Sequence, residues 1–399
     1  MSFQTTPSGE RLHIVFFGKC NTGKSSLANA LTGQNMSLVS HVRGTTTDPV
    51  RKTMELLPLG PVVIIDTPGF DDESELGGMR IQKTREILAK TDIAVLVADA
   101  GQGLDETDRR LLAVFKKQNI AHIIAYNKCD LIDVEMPAGK NELFVSAKTG
   151  WNIGALKEML GAVAKNRKQY RPIVADILRP KQLVMLVIPI DEAAPKGRLI
   201  LPQQMVMREL LDSGCMVTAC RDSELTRMLS ALAEKPALVI TDSQVFKAAA
   251  AAVPETILLT SFSILMARYK GMLGTLVEGA EQLGALKDGD KVLISEGCTH
   301  HRQCNDIGTV KLPHWIKAYS GVQPEYTFTS GGDFPQDLCL YRLVIHCGGC
   351  MLNESEMKNR IQQTADAGVP IVNYGIAIAQ MHGILQRALQ PFNKTGRCH

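Results

Sequence analysis

One stretch constrains this chain more than any other. Gly18-Lys19-Cys20-Asn21-Thr22-Gly23-Lys24-Ser25 holds two glycines separated by four residues and followed at once by Lys-Ser. Ahead of it runs Leu12-His13-Ile14-Val15-Phe16-Phe17, an apolar strand pattern. Behind it runs Ser26-Leu27-Ala28-Asn29-Ala30-Leu31, a helical pattern closed by Gly33. Strand, glycine loop and helix in that order wrap successive backbone N–H groups and a helix N-terminus around a pyrophosphate. The residues expected at the phosphates are Gly18, Asn21, Thr22, Gly23, Lys24, Ser25 and Ser26.

From Arg11 to about Asn166 apolar strand patterns at 62–66, 93–98, 122–127 and 143–146 alternate with helical patterns at 80–90, 105–117 and 153–164. That alternation predicts a mainly parallel sheet covered on both faces, with ligands at the carboxyl ends of its strands. Three further signals fall at those ends. Asp66-Thr67-Pro68-Gly69 supplies a carboxylate for a magnesium shell and an N–H for a γ-phosphate. Asn127-Lys128-Cys129-Asp130 supplies a carboxylate that can accept from N1 and N2 of guanine, a pair of donors adenine lacks. Ser146-Ala147-Lys148 fits a backbone-donor loop for the guanine carbonyl. Cys20 and Cys129 occupy variable positions of these motifs and read as packing residues.

The four motifs, in this order and spacing, resemble the GTPase superfamily. Gly44-Thr45-Thr46-Thr47-Asp48 is similar to the switch I segment of the tRNA-modification and Era-like group, with Thr47 where that group carries Arg. The resemblance implies GTP as ligand and Lys24, Thr46, Asp66 and Gly69 as the catalytic set. Ser25 and Thr46 are then the magnesium residues, and Asn21 a residue that helps hold an activating potassium ion. Asn21 equally suits a plain turn. Phe70 stands where small regulatory GTPases carry a water-positioning Gln, and an apolar ring cannot orient water. Unassisted hydrolysis is therefore expected at roughly 10⁻⁴ to 10⁻² s⁻¹.

The length of 399 residues allows two or three domains. A net charge of +3 with 21% charged residues sets up no field that would draw the whole chain to nucleic acid or membrane. No run approaches the length of a membrane span, and the polar start, Met1 to Glu10, carries no signal core, so a cytoplasmic location is expected. The expected division is a GTP-binding domain over 1–170, a second domain over 171–262 and a third over 263–399.

The linker Arg167-Lys168-Gln169-Tyr170-Arg171-Pro172 opens a second β-α-β-α-β rhythm, a small parallel sheet. It carries no chemical motif, and Cys215 and Cys220 alternate with apolar residues as core cysteines do. A small sheet without a site can still offer an unpaired edge to a second copy, which makes a homodimer the natural expectation.

Six of the ten cysteines fall in the last part of the chain: Cys298, Cys304, Cys339, Cys347, Cys350 and Cys398. One strand pattern delivers Glu296-Gly297-Cys298-Thr299-His300-His301, and another delivers His346-Cys347-Gly348-Gly349-Cys350. Cys-x-x-Cys with two glycines lets both sulfurs point to one centre. Cys298 adds a third thiolate, and His300, His301, His346, Cys304, Glu296 and water compete for a fourth position. Spacing alone leaves open an iron–sulfur cluster with an open iron, structural zinc, and a Cys347–Cys350 redox disulfide. Cys339 and Cys398 lack partners at ligand spacing.

A GTPase of this type, then a middle α/β module, then Cys-x-His and His-Cys-x-x-Cys, resembles the HydF family of FeFe-hydrogenase maturation scaffolds over essentially the whole chain. The resemblance implies a 4Fe-4S cluster on Cys298, Cys347 and Cys350, with His300 and His346 matching the histidines near a labile fourth iron position. It also implies a transient two-iron precursor, radical-SAM maturases that make its ligands, and apo FeFe-hydrogenase as recipient. The rival reading is an RNA-associated, Era-like GTPase with a structural zinc. It needs a basic or aromatic RNA surface, whereas Arg302, Lys311 and Lys317 are scattered among acids.

Overall fold

A computed structural model of the chain describes residues 9, 11–33, 50–69, 86–133, 139–167, 171–190, 199–297, 306–349 and 351–393. The chain divides into two compact units, Met1–Gln169 and Tyr170–His399.

The first unit is built on β1 (Leu12–Phe17), whose alternate side chains enter two different cores. Ile14 and Phe16 join one, and Val15 and Phe17 join the other. A strand covered on both faces has no polar side to show, which is why its sequence is a continuous apolar run. The other strands are β2 (Val50–Leu56), β3 (Gly60–Asp66), β4 (Ile93–Asp99), β5 (Ala121–Asn127) and β6 (Glu142–Phe144), in the order β2-β3-β1-β4-β5-β6. All pairs are parallel except β2 with β3. The antiparallel edge strand β2 alternates exposed and half-buried residues and carries no apolar run to announce it. Helix α1 (Lys24–Thr32) runs from Gly23 to Gly33, both left-handed, and buries Leu27, Ala28 and Leu31. Helix α2 (Glu106–Lys117) starts with a capping box between Asp105 and Asp108, and α3 (Ile153–Arg167) follows β6.

The second unit holds two four-stranded, wholly parallel sheets. The first of these has the order β10-β9-β7-β8, from β7 (Leu183–Val187), β8 (Met216–Cys220), β9 (Leu238–Thr241) and β10 (Leu258–Ser261). The other has the order β12-β11-β13-β14, from β11 (Lys291–Glu296), β12 (Glu325–Ser330), β13 (Leu343–His346) and β14 (Ile371–Asn373). Both follow one scheme: the second strand lies on one side of the first and the third on the other. The strand order therefore reverses between β7 and β9, and again between β11 and β13. Such switch points open a crevice at the carboxyl ends of the strands.

The two sheets share one core, continuous from Ile173 to Phe392. Helices α4 (Leu201–Asp212), α5 (Leu225–Ala231) and α6 (Phe246–Ala252) follow the strands of the first sheet. Then come α7 (Phe262–Tyr269), α8 (Leu273–Glu281), α9 (Leu312–Ser320), α10 (Glu354–Asp366), α11 (Tyr374–Met381) and α12 (Leu385–Asn393). The last helix returns to the first sheet of this unit. Its Arg387 donates to the carbonyls of Ala250, Val253 and Pro254, and its Phe392 ring lies 5.3 Å from the Arg268 guanidinium.

The β-α-β-α-β rhythm read after the linker corresponds to the first sheet of this unit and its helices, whereas β12, β14 and α9 to α12 carry no pattern read from the sequence. Strand β12 is a half-exposed edge of mixed polarity. Helix α10 buries Glu356, Arg360 and Thr364 beside Met357, so its inward face is polar in sequence.

Candidate functional site

The phosphate loop leaves β1 and enters α1, so Gly18 to Ser25 lie at the carboxyl edge of the central strand. Gly23 holds φ +86°, and a Cβ there would come within 2.3 Å of Asn127 Nδ2. That contact exists because Asn127 Nδ2 donates to Thr22 O (2.9 Å), while its Oδ1 accepts from Ala147 N–H (3.0 Å). Asn127 thus staples the phosphate loop to the Ser146-Ala147-Lys148 loop. Asp130 is held by the Ser146 hydroxyl (2.6 Å), which in turn accepts from Thr149 N–H (3.1 Å). Lys128, left-handed at φ +66°, pairs with Asp99 at 2.8 Å. Cys129, Asp130, Ser146, Thr149 and Trp151 line a shallow cavity of about 280 Å³. Trp151 was not singled out from the sequence, and its signal there is only a large aromatic just beyond Ser-Ala-Lys. Cys129 is buried, and Cys20 lies against Gly69.

At the phosphate end Lys24 is buried and donates to Lys19 O (2.6 Å), and the Thr22 hydroxyl donates to the same carbonyl (3.0 Å). Lys19 pairs with Asp105, the cap of α2. Ser25, followed by Ser26 in α1, donates its hydroxyl to Asp66 Oδ2 at 2.5 Å. Asp66 Oδ1 is buried without a hydrogen-bond partner among the described residues. Burial pushes the Asp66 carboxyl up, against the Ser25 bond and the Lys24 charge. A buried orphan carboxylate oxygen beside a serine hydroxyl is a hard oxygen donor set, which fits magnesium. Thr46 and Phe70 lie outside the described residues.

The cysteine site lies at the second switch point. Pairing of β11 with β13 sets Ser295 opposite His346, and Cys347 N–H donates to Ser295 O (2.9 Å). The Cys347 sulfur accepts from Gly297 N–H at 3.0 Å and from Gly349 N–H at 3.4 Å. Each donor is joined by one peptide bond to another cysteine, Gly297 to Cys298 and Gly349 to Cys350. Cys298, His300, His301, Cys304, Cys350 and Cys398 lie outside the described residues. Among the described residues no group of three or more His, Cys, Asp or Glu could hold a metal ion. Backbone N–H groups directed at a sulfur suit a cluster ligand, and this much of the donor set fits a cluster.

His346 is fully buried. Its Nδ1 lies 2.8 Å from Cys347 O and its Nε2 lies 3.0 Å from Arg360 Nη1. Guanidinium has no acceptor, so Nε2 accepts and Nδ1 carries the proton. Burial first, and the Arg360 charge next, push this imidazole down to about 3. In this arrangement both ring nitrogens are engaged. Arg360 also donates to Gly331 O (2.7 Å) and Glu356 Oε1 (3.1 Å). Glu296 is buried and accepts from the Tyr374 hydroxyl at 3.2 Å, and burial and the Glu296 charge push that phenol up. Arg360 and Tyr374 could not be found from the sequence, because nothing local marks a buried polar partner. Cys339 is exposed and Cys215 is buried.

Three family models match consecutive parts of the chain. A 50S ribosome-binding GTPase model matches 13–128, the hydrogen maturase F dimerization domain matches 173–271, and the hydrogen maturase F tetramerization domain matches 274–391. Among curated proteins, GTPase Der of Kosmotoga olearia is 30% identical over 184 residues, covering 41% of this chain and 41% of its own. The tRNA modification GTPase MnmE of Nitrosospira multiformis is 34% identical over 158 residues, covering 38% of this chain and 34% of its own. The chain therefore spans about two fifths or less of the length of these relatives. Among solved structures, Era bound to MgGDPNP and a 16S ribosomal RNA segment is 20% identical, covers 52% of this chain and 91% of its own, and has a TM-score of 0.34. No helix of the described residues is long and apolar enough to cross a membrane. A P-loop GTPase domain is thus followed by two parallel α/β modules whose family models name oligomerisation, and the chain belongs to the hydrogen maturase F family.

Proposed function

We propose that this protein is a slow GTPase and iron–sulfur scaffold that holds a 4Fe-4S cluster and a transient two-iron precursor, and delivers the latter to apo FeFe-hydrogenase. The observation that carries the reading is the Cys347 sulfur at a switch point, receiving backbone N–H groups from the residues that precede Cys298 and Cys350. In this reading Cys298, Cys347 and Cys350 hold the cluster. A cluster held by three thiolates offers one iron with an exchangeable position, which is the chemistry a carrier needs. Cluster and precursor belong to the segment 263–399, dimer contacts to 171–262, and nucleotide to 1–170. The edge strand β8, with Met216 and the neighbouring Leu211 exposed, supports a homodimer contact.

On the nucleotide side Lys24 and the loop amides bind phosphate, Ser25, Thr46 and Asp66 serve magnesium, and Asp130 with Ala147 reads guanine. Lys128 and Lys148 flank the base. Hydrolysis is slow because Phe70 cannot orient water, and a potassium ion at Asn21 supplies part of the missing charge. GTP state governs contact with the radical-SAM maturases and the hydrogenase. The protein acts in the cytoplasm, without nucleic acid or membrane.

Anaerobic purification with metal and sulfide analysis tests this. Brown protein with about four irons per chain is expected. A colourless, zinc-loaded protein refutes the carrier reading and favours the RNA-associated alternative.

A further inference from the structure

Lys270 caps the end of α7, the helix that follows β10, and is only 9% exposed. Its ammonium donates to Gly349 O at 2.8 Å, across 79 positions of sequence. Gly349 sits at φ +61°, where a side chain would be strained, and a Cβ there would meet Met357 Sδ at 2.6 Å. Its own N–H donates to Cys347 Sγ. The Gly349 residue is therefore held from both ends, by sulfur at its nitrogen and by Lys270 at its oxygen. The oxygen in question belongs to the peptide bond that joins Gly349 to Cys350.

Burying an ammonium is costly, and nearby negative charge offsets that cost. The charge of Lys270 already reaches this corner of the fold, where it acts on His346 in the same direction as burial and Arg360. A cation held in this corner raises the potential of a cluster bound there, since net charge near the site sets that potential.

We propose that Lys270 is a positioning residue for the cysteine site. It clamps the Gly349–Cys350 peptide so that the Cys347 sulfur keeps its backbone donors, and it supplies positive charge to an anionic, thiolate-held cluster. The proposal rests on reading Cys298, Cys347 and Cys350 as cluster ligands. It also ties the cysteine site to a side chain near the start of the segment 263–399, 79 positions away in sequence.

The test compares full-length wild type with Lys270→Met and Lys270→Arg, reconstituted anaerobically with iron and sulfide. Lys270→Met is expected to lose iron to a chelator several-fold faster than wild type and to show a lower midpoint potential, while Lys270→Arg restores both. In the metal-free proteins, hydrogen exchange over 346–352 is expected to be several-fold faster in Lys270→Met and unchanged over β1. A folded Lys270→Met with wild-type iron loss and potential overturns the proposal even if exchange rises, because Lys270 then only packs. If wild type itself takes up no cluster, the cluster reading fails, and the exchange comparison decides the clamp: equal exchange overturns it. Where Lys270→Met does not fold, Lys270→Gln, uncharged but still a donor, is read by iron loss and midpoint potential, and wild-type values for both overturn the proposal.

Discussion

The phosphate loop and the cysteine site both lie at the carboxyl ends of parallel strands, yet their parts reach that place by different routes. In the first unit one uninterrupted run, Gly18 to Ser25, supplies the loop, and each other motif is a short run at the end of its own strand. The staple from Asn127 to Thr22 and Ala147 only draws together pieces already recognisable alone. In the second unit no single run makes the site. Gly297 and Cys347 meet because β11 and β13 are neighbours, and they are neighbours because the strand order reverses between them. A site made of contiguous motifs tolerates loose packing behind it. A site made by strand order depends on its core, which explains the buried Arg360, His346 and Lys270 around residues 346–349.

That contrast is open to direct attack, starting where the effect is largest. Replacing Cys347 with Ala, or Cys298 or Cys350, is expected to abolish cluster binding while GTP turnover stays within about twofold of wild type, as for distant, independent sites. Iron analysis and phosphate release on the same samples decide this, and a loss of turnover would end the claim of modularity. The reciprocal change, Lys24→Ala, is expected to lower GTP turnover by roughly 10² to 10³-fold through the lost charge at the phosphates. Iron content should not change.

A third change asks whether the cysteine site leans on its core. Arg360→Met leaves Glu356 buried without its ion-pair partner and should destabilise the second unit by about 3 to 5 kcal/mol. Urea unfolding should show that loss in one transition, with the nucleotide-protected transition of the first unit unmoved. Equal shifts in both would mean that the units do not unfold independently. The smallest effect concerns Asn21: potassium in place of sodium should speed hydrolysis by up to about tenfold, or about 1.4 kcal/mol. Equal rates would remove the ion from the proposed mechanism and leave Asn21, at φ +63°, as a turn residue.

Legibility followed the same divide. The strands of the first unit were readable because burial on both faces makes each an apolar run. Edge strand β2 was not, since one of its faces is wet. In the second unit β7, β9, β11 and β13 were readable for the same reason as β1, while the polar edge β12 and the polar-faced α10 were not. Glycine and cysteine spacing marked the candidate ligands. Spacing could not mark Lys270, Arg360 or Tyr374, because a residue that acts by reaching a distant backbone atom leaves no local pattern.

By itself the sequence determined that this chain binds phosphate in a strand–loop–helix unit, that its strands run mainly parallel, and that soft ligands gather after two late strands. Those properties follow from local spacing and from the period of apolar residues, which any window of the chain displays. Tertiary structure alone decided that the two modules behind the GTPase unit share one core and one strand order, and that Cys347 faces the residue before Cys298. It also decided that His346 spends both ring nitrogens inside the protein. Strand order and buried polar pairing depend on which distant segments meet, and the free energy of that meeting belongs to the whole core rather than to any window of sequence.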